Sequence, residues 1–249
     1  MNIEIMFIFL TLIFYLFSFI FSFFKNKVIY KFIFKIGFVF HIILLIMRTI
    51  YSKHAPFVDI FESINFFSFC IVLTLFIQKN LLNFLNIILI FVILFFSLSL
   101  FFYRTSSALP DALKNFWFYI HIPSCFLSYG FFTTAFITSI QLLFSKKEQE
   151  ELYFNLSYES VKYAFPLLTI GILSGSLWAK NAWGSYWNWD PKETSSIILW
   201  FIYLLFFHLS NRKGWKNKKI ALILIFGFLI LIFTFLGLNF LKIVSLHSY

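Results

Sequence analysis

Apolar residues run along this chain in long stretches that polar residues interrupt only briefly. A helix needs about 20 apolar residues to cross a hydrocarbon core of about 30 Å. Eight stretches are near or above that length: residues 5–24, 32–50, 64–78, 82–103, 116–144, 163–179, 191–209 and 220–241. The pattern predicts an all-α integral membrane protein with about eight transmembrane helices, organised as a single polytopic membrane domain over residues 1–249.

The composition agrees with this prediction and argues against nucleic acid as a partner. Apolar residues make up 61% of the chain and charged residues 12%, whereas about a quarter of the residues in soluble domains are charged. The basic residues lie at the ends of the apolar stretches, and no soluble domain carries them, which argues against nucleic-acid binding. Residues 145–162, which contain both acidic and basic side chains, are predicted to be a solvated connector.

The distribution of Lys and Arg predicts how the chain is oriented. Alternate loops place thirteen basic residues on one side and seven on the other, with the densest group at Arg212–Lys219. The more basic side normally faces the cytoplasm or its organellar equivalent. Both termini are then expected on the outer or lumenal side, together with the segment between the sixth and seventh stretches.

That segment, about residues 178–193, is predicted to be an outer loop with an unusual concentration of tryptophan. It holds Trp183, Trp187 and Trp189, with Trp178 just before them. Tryptophan commonly anchors helices at the membrane interface. Several indoles in one loop also suit a platform for a flat aromatic ligand, and the residues alone leave both interpretations open.

The end of this segment has a structural explanation of its own. Asp190, Pro191 and Glu193 match the N-cap, N1 and N3 positions of a helix start. They predict that the seventh helix begins at Pro191.

Five histidines are the candidates for metal chemistry: His41, His54, His121, His208 and His247. Imidazole is a common axial ligand of haem iron, and ionisable groups within a membrane are usually functional. His121 and His247 are expected on the same membrane face as the tryptophans, an arrangement that suits a bis-histidine haem site. His208 and His41 fall inside spans, where each is a candidate for a second haem site or for helix packing. His54 is expected in an exposed loop.

Two further features, a pair of cysteines and a pair of glycines, are interpreted as structural. Cys70 and Cys125 lie in apolar runs without Cys-x-x-Cys spacing, and we interpret them as small buried side chains. Gly171 and Gly175 form a small-xxx-small pattern that allows close helix packing.

The stretch from Trp183 to Glu193, Trp-Gly-Ser-Tyr-Trp-Asn-Trp-Asp-Pro-Lys-Glu, resembles the tryptophan-rich signature of the haem-handling family that includes CcsA and CcmC. The positions of His121, His208 and His247, and the pattern around His54, are similar to the CcsA group in particular. The chain departs from the family pattern at Lys53, where Gly is frequent, and at Asp59, where Asn is frequent.

The resemblance implies a protein that attaches haem to apocytochromes c. It implies His121 and His247 as axial ligands of haem b, and His208 as a candidate ligand of a second haem. Trp183, Trp187, Trp189 and Asp190 are implied to form the haem-handling segment, with Arg48, Arg104, Lys180 and Lys192 as candidate partners for the propionates. The implied partners are a membrane protein of the CcsB type and an acceptor with a Cys-x-x-Cys-His motif.

Three functions are considered for a membrane protein with these residues. Haem attachment is favoured over a haem transporter component that hands haem to a chaperone, and over a bis-histidine electron carrier, in which a tryptophan loop has no role. The heavy use of Phe, Ile, Asn and Lys suggests an AT-rich genome. This bias and the small size favour a plastid thylakoid membrane, with a bacterial inner membrane as the alternative.

Overall fold

The computed structural model describes residues 3–24, 27–105, 108–212, 215 and 218–238. All regular structure in these residues is helical. The helices are α1 Ile3–Phe21, α2 Lys27–Ser52, α3 Ile60–Ile77, α4 Leu85–Leu100, α5 Phe116–Phe144, α6 Lys147–Trp183, α7 Pro191–Ser210 and α8 Lys218–Ile232. Short 3₁₀ segments cover Lys79–Phe84 and Asp111–Leu113, and α8 continues as a π-helix over Phe233–Gly237. Eight helical segments in the described ranges are long and apolar enough to span a membrane, which confirms the predicted fold class.

Contacts divide the chain into two compact units, Met1–Asp111 with α1 to α4 and Ala112–Tyr249 with α5 to α8. The single membrane domain and the outer position of both termini remain predictions.

In the first unit, one buried guanidinium joins three carboxylates. Arg48 of α2 donates from Nε to Glu62 Oε1 at 2.7 Å, from Nη1 to Glu4 Oε1 at 3.0 Å and from Nη2 to Asp59 Oδ2 at 3.1 Å. Only 2% of Arg48 is exposed. Burial and the negative charge of Glu4 raise the pKa of Tyr103, whose hydroxyl donates to Glu4 Oε2 at 3.3 Å. These contacts connect α1, α2 and α3 with the segment after α4.

His41 lies in the interior of the first unit and is fully buried. Its Nδ1 is 3.1 Å from the Tyr15 hydroxyl, and its Nε2 is 3.0 Å from Asn65 Oδ1. Because Asn65 Oδ1 can only accept, Nε2 carries the proton and the Tyr15 hydroxyl donates to Nδ1. Both ring nitrogens are occupied, so this geometry is that of a helix-packing histidine.

The segment after α2 corrects one expectation. His54 was expected to be exposed, but only 6% of it is accessible, and its Nδ1 lies 2.9 Å from the carbonyl oxygen of Ala55. The preceding residue, Lys53, has a φ of 57°. This left-handed conformation favours glycine, which gives a physical reason for the glycine that the family resemblance leads us to expect at this position.

In the second unit, α6 is longer than predicted. It begins at Lys147 rather than near residue 163, so most of the expected connector 145–162 is helical. Buried positions recur along it with helical spacing, at Phe154, Ser157, Val161, Ala164, Leu168, Gly171 and Trp178. Charged residues between these positions hid the amphipathic pattern in the sequence. This face packs against α5, where hydroxyl pairs such as Thr138 with Ser157, at 2.8 Å, connect the two helices.

The predicted tryptophan loop is also shorter than expected. Trp178 and Trp183 belong to α6, and α7 begins at Pro191, so only residues 184–190 connect the two helices. Gly184, at φ 85°, ends α6 and donates its N–H to the Lys180 carbonyl at 3.0 Å. A C-terminal glycine of this kind is a common helix stop.

Candidate functional site

The imidazole of His121 is oriented by the backbone of the neighbouring helix. His121 follows the start of α5 at Phe116, and its Nδ1 donates to the carbonyl oxygen of Gly171 on α6 at 2.7 Å. A carbonyl oxygen can only accept, so Nδ1 carries the proton and Nε2 keeps a free lone pair. Nε2 makes no hydrogen bond to any residue that the structure describes. Metal-binding histidines are commonly oriented in this way, by a hydrogen bond from the other ring nitrogen.

Two glycines on α6 create the space for this ring. A Cβ on Gly175 would lie 2.7 Å from both Cε1 and Nδ1 of His121, and a Cβ on Gly171 would lie 2.5 Å from Cys125 Sγ. Real side chains do not approach so closely, so glycine is required at both positions. The small-xxx-small pattern therefore has a definite role: it lets His121 and Cys125 of α5 lie directly against α6.

Trp178 packs against the His121 ring. The two rings are nearly parallel, with centroids 5.8 Å apart and an interplanar angle of 18°. Only 2% of Trp178 is exposed, and its Nε1 donates to the Ala112 carbonyl at 2.8 Å. Trp183 packs edge-on against Trp178 at 4.8 Å. A continuous aromatic surface thus runs from His121 through Trp178 to Trp183.

The connector carries a second indole pair. Trp187 and Trp189 meet edge-on at 5.9 Å. Trp189 is 74% exposed and has a φ of 56°. A left-handed backbone costs a non-glycine residue about 1–2 kcal/mol, and an exposed indole gains little from burial. Such strain is typical of functional segments.

Asp190 and Glu193 form the capping box that the sequence predicts. Asp190 Oδ1 accepts from the Lys192 amide at 2.9 Å, and Glu193 Oε2 accepts from the Asp190 amide at 3.2 Å and the Asn188 amide at 2.7 Å. Pro191 occupies the first helical turn. The helix-start prediction is confirmed, and the same bonds hold the end of the tryptophan connector against α7.

Of the other predicted haem ligands, only His208 lies among the described residues, and it is not part of this group. His208 is exposed and lies in the last turn of α7, about 25 Å along the helix from Pro191 at 1.5 Å per residue. His247 lies outside the described residues. Their roles as haem ligands remain predictions.

Among the cations, Lys180 lies at the tryptophan connector. Its Nζ donates to the Gly184 carbonyl at 2.8 Å and lies 5.4 Å from the centre of the Tyr186 ring. Arg48 is committed to carboxylates of the first unit, which makes it a poor propionate partner.

The sequence analysis missed the residues that hold His121 in place. The pattern formed by Gly171 and Gly175 was interpreted as helix packing, and Trp178 as part of the tryptophan-rich segment. None of the three was predicted to contact His121. One signal was available: His121 and Cys125 are four residues apart on α5, as are Gly171 and Gly175 on α6. Equal spacing on adjacent helices places each pair on one face.

Comparisons with known proteins identify the family of the chain. A family model described as cytochrome C assembly protein matches residues 1–245. The chain is 32% identical to the cytochrome c biogenesis protein CcsA of Mesostigma viride, with 83% of this chain and 81% of that protein covered. It is 34% identical to CcsA of Chlamydomonas reinhardtii, covering 84% of this chain and 64% of that protein.

Two further relatives extend the comparison. CcsA of Prochlorococcus marinus strain MIT 9301 is 35% identical over 59% of this chain and 58% of its own length. The solved structure of the cytochrome c heme lyase CcmF shares the fold, with a TM-score of 0.71 at 15% identity over 94% of this chain and 46% of that chain. The chain therefore belongs to the cytochrome c assembly protein family and to its CcsA group, which places its function in cytochrome c biogenesis.

Proposed function

We propose that this chain holds haem b on the outer or lumenal face of the membrane and presents it for covalent attachment to apocytochromes c. The observation that carries the proposal is the state of His121. Its Nδ1–H is bonded to Gly171, its ring is stacked on Trp178, and its Nε2 is left with a lone pair. This is the arrangement that an axial ligand of haem iron requires.

In this proposal His121 supplies one axial ligand and His247 the other. Trp183, Trp187 and Trp189 contact the porphyrin face, since indoles offer large flat surfaces for stacking. Asp190 maintains the shape of the connector through its hydrogen bond to the Lys192 amide. Lys180 is the cation best positioned for a propionate, because it lies at the connector and its side chain is exposed.

The chemistry requires no nucleophile from this chain. Each acceptor cysteine adds its S–H across a haem vinyl group: the sulfur bonds to one vinyl carbon, the hydrogen goes to the other, and no net oxidation occurs. The acceptor supplies both thiols from its Cys-x-x-Cys-His motif. The contribution of this chain is to hold the vinyl edge in a fixed orientation, which makes the reaction effectively intramolecular.

Three further assignments belong to the proposal. His208 is a candidate ligand for a second haem within the membrane. A membrane protein of the CcsB type is the expected partner. The thylakoid membrane of a plastid is the proposed location, supported by the CcsA relatives in Mesostigma viride and Chlamydomonas reinhardtii.

The absorption spectrum of the protein purified with its membrane partner tests the proposal. We expect a six-coordinate haem in the wild type, and a loss of that signal in the variant with His121→Ala and His247→Ala. Added imidazole is expected to restore it by occupying the vacated positions. A haem spectrum that is absent, or that is unchanged by both substitutions, would contradict the proposal.

A further inference from the structure

The carboxylate of Glu193 has one oxygen that the fold does not use. Oε2 accepts the Asn188 and Asp190 amides, at 2.7 and 3.2 Å. Oε1 is buried and has no hydrogen-bond partner among the described residues, and the side chain as a whole is enclosed, with 8% of the residue exposed. A buried acceptor without a donor costs about 1–3 kcal/mol, and more when it is charged. Such an oxygen needs an explanation beyond helix capping.

A second capping box in the same chain shows what kind of partner such an oxygen takes. Glu62 occupies the same N3 position at the start of α3, and its Oε2 accepts the Val58 and Asp59 amides at 2.9 and 3.4 Å. Its other oxygen, Oε1, accepts from Arg48 Nε at 2.7 Å. In both boxes Oε2 of the glutamate accepts the amide of the N-cap residue, but only Glu62 has a hydrogen bond at Oε1 among the described residues. Oε1 of Glu193 therefore lacks a hydrogen-bond donor such as the Arg48 guanidinium, which donates to Oε1 of Glu62.

The surroundings of Glu193 indicate where the donor comes from. Tyr186 and Trp189, on the connector that Glu193 holds in place, are 55% and 74% exposed. The connector has left-handed backbone at Gly184, φ 85°, and at Trp189, φ 56°. Glycine adopts this conformation freely, whereas it strains the backbone at Trp189. A haem propionate is a poor candidate, because two carboxylates repel each other at hydrogen-bond distance. A polypeptide that meets this exposed aromatic surface brings N–H and S–H donors.

We propose that Glu193 Oε1 accepts a hydrogen bond from the Cys-x-x-Cys-His segment of the acceptor when that segment docks on the tryptophan connector. The donor is either a cysteine S–H or the histidine N–H of the motif. Because Oε1 is enclosed in this structure, the connector shifts between Gly184 and Trp189 to admit the donor. The inference rests on the proposed function and adds a specific recognition contact for the acceptor to it.

Glu193→Gln provides a selective test. Glutamine also serves at the N3 position of a capping box, so its carbonyl oxygen can keep the Asn188 and Asp190 amides while its NH₂ group replaces Oε1. The complex with the membrane partner, loaded with haem, is titrated with a Cys-x-x-Cys-His peptide. We expect an unchanged haem spectrum, an unchanged or raised thermal midpoint, and peptide binding weakened about tenfold to hundredfold, the effect of one hydrogen bond to a charged group.

Glu62→Gln is the matched control. It replaces the same residue type at the same helix position, but it removes the charge that faces Arg48. We expect a lower thermal midpoint for Glu62→Gln, with peptide affinity retained in the folded fraction. If Glu193→Gln instead lowers the midpoint and leaves the peptide affinity of the folded fraction unchanged, Glu193 is a capping residue alone and the inference is overturned.

Two altered peptides identify the donor. In one the cysteines are replaced by alanine, and in the other the histidine is replaced by alanine. The donor belongs to the peptide group whose removal abolishes the difference in peptide affinity between the wild type and Glu193→Gln. A difference in affinity that persists with both peptides overturns the inference.

If the wild type itself binds no haem, the proposed function fails. This result is distinguishable from failure of the inference because it appears before any peptide is added.

Discussion

The His121 imidazole and the Gly171 carbonyl meet across two helices at 2.7 Å, although fifty residues separate them in the chain. This one bond determines which ring nitrogen carries the proton. It therefore directs the basic Nε2 away from α6, and it connects the chemistry of the histidine to the packing of α5 on α6.

Gly175→Ala should displace the His121 ring. The new methyl would lie 2.7 Å from two ring atoms, so the ring must tilt and its bond to Gly171 must weaken. Loss of such an orienting bond typically lowers metal affinity about 10–100-fold, and we expect a comparable loss of haem affinity in a spectroscopic titration. Ser176→Ala is the control, because among the described residues Ser176 Oγ bonds only within its own helix, to the Leu173 carbonyl at 2.8 Å. Equal haem affinity for the two variants would show that the glycine does not position the ring.

Gly171→Ala should be rescued by a second substitution. Its methyl would lie 2.5 Å from Cys125 Sγ but 3.4 Å or more from the Cys125 backbone. Overpacking of this kind costs about 1–3 kcal/mol. Adding Cys125→Ala removes the sulfur, so the double variant should be more stable than Gly171→Ala alone. Thermal unfolding of both single variants and the double variant measures the coupling, and strictly additive effects would be inconsistent with this packing.

Arg48→Met should destabilise the first unit severely. It leaves Glu4, Asp59 and Glu62 buried without their shared cation. Removing one side of a buried ion pair costs about 3–5 kcal/mol. Arg104→Met is the comparison: its side chain is 57% exposed and pairs with Asp59 at 3.3 Å, so we expect a change below about 1 kcal/mol. Thermal midpoints in detergent test this order, and similar midpoints for both variants would contradict it.

Lys53→Gly should stabilise the protein. Lys53 has a φ of 57°, and glycine relieves a cost of about 1–2 kcal/mol there, partly offset by the greater entropy of the unfolded chain. From these opposing effects we expect the free energy of unfolding to rise by about 0.5–1 kcal/mol. Lys53→Val should do the reverse, because a β-branched residue tolerates this conformation poorly. A lower thermal midpoint for Lys53→Gly would count against the argument.

Trp189→Gly should separate stability from function. Trp189 has a similar φ of 56° and is 74% exposed, so glycine relieves strain and removes little buried surface. We expect an equal or higher thermal midpoint, together with weaker haem binding if the indole contacts the porphyrin. Unchanged haem affinity would remove Trp189 from the proposed site and leave it as an interfacial anchor.

His41→Gln should change stability but not the haem spectrum. Both ring nitrogens are already bonded, to Tyr15 and Asn65, and losing or distorting these buried bonds costs about 1–3 kcal/mol. His208→Ala is the contrasting variant, because His208 is exposed at the end of α7 and little stability depends on it. A spectral change in His208→Ala alone would support a second haem there. A spectral change in His41→Gln would contradict its assignment to packing.

Part of this molecule follows from short-range features of the sequence. The spans were predicted because crossing a bilayer requires only a sufficient run of apolar residues. The start of α7 was predicted because Asp190 and Glu193 bond to amides only a few residues away. The length of α6 was missed, since charged residues interrupt its apolar face and the helix is stabilised by packing on α5.

The sequence by itself determined that the chain carries five histidines among its apolar stretches and that one segment concentrates tryptophan. Only the tertiary structure decided what two of those histidines can do. Tyr15 and Asn65 occupy both nitrogens of His41, whereas Gly171 occupies only Nδ1 of His121. These partners are 26, 24 and 50 residues away in the chain. The availability of a ring nitrogen depends on neighbours that only folding brings into contact, so no local pattern could have distinguished the two residues.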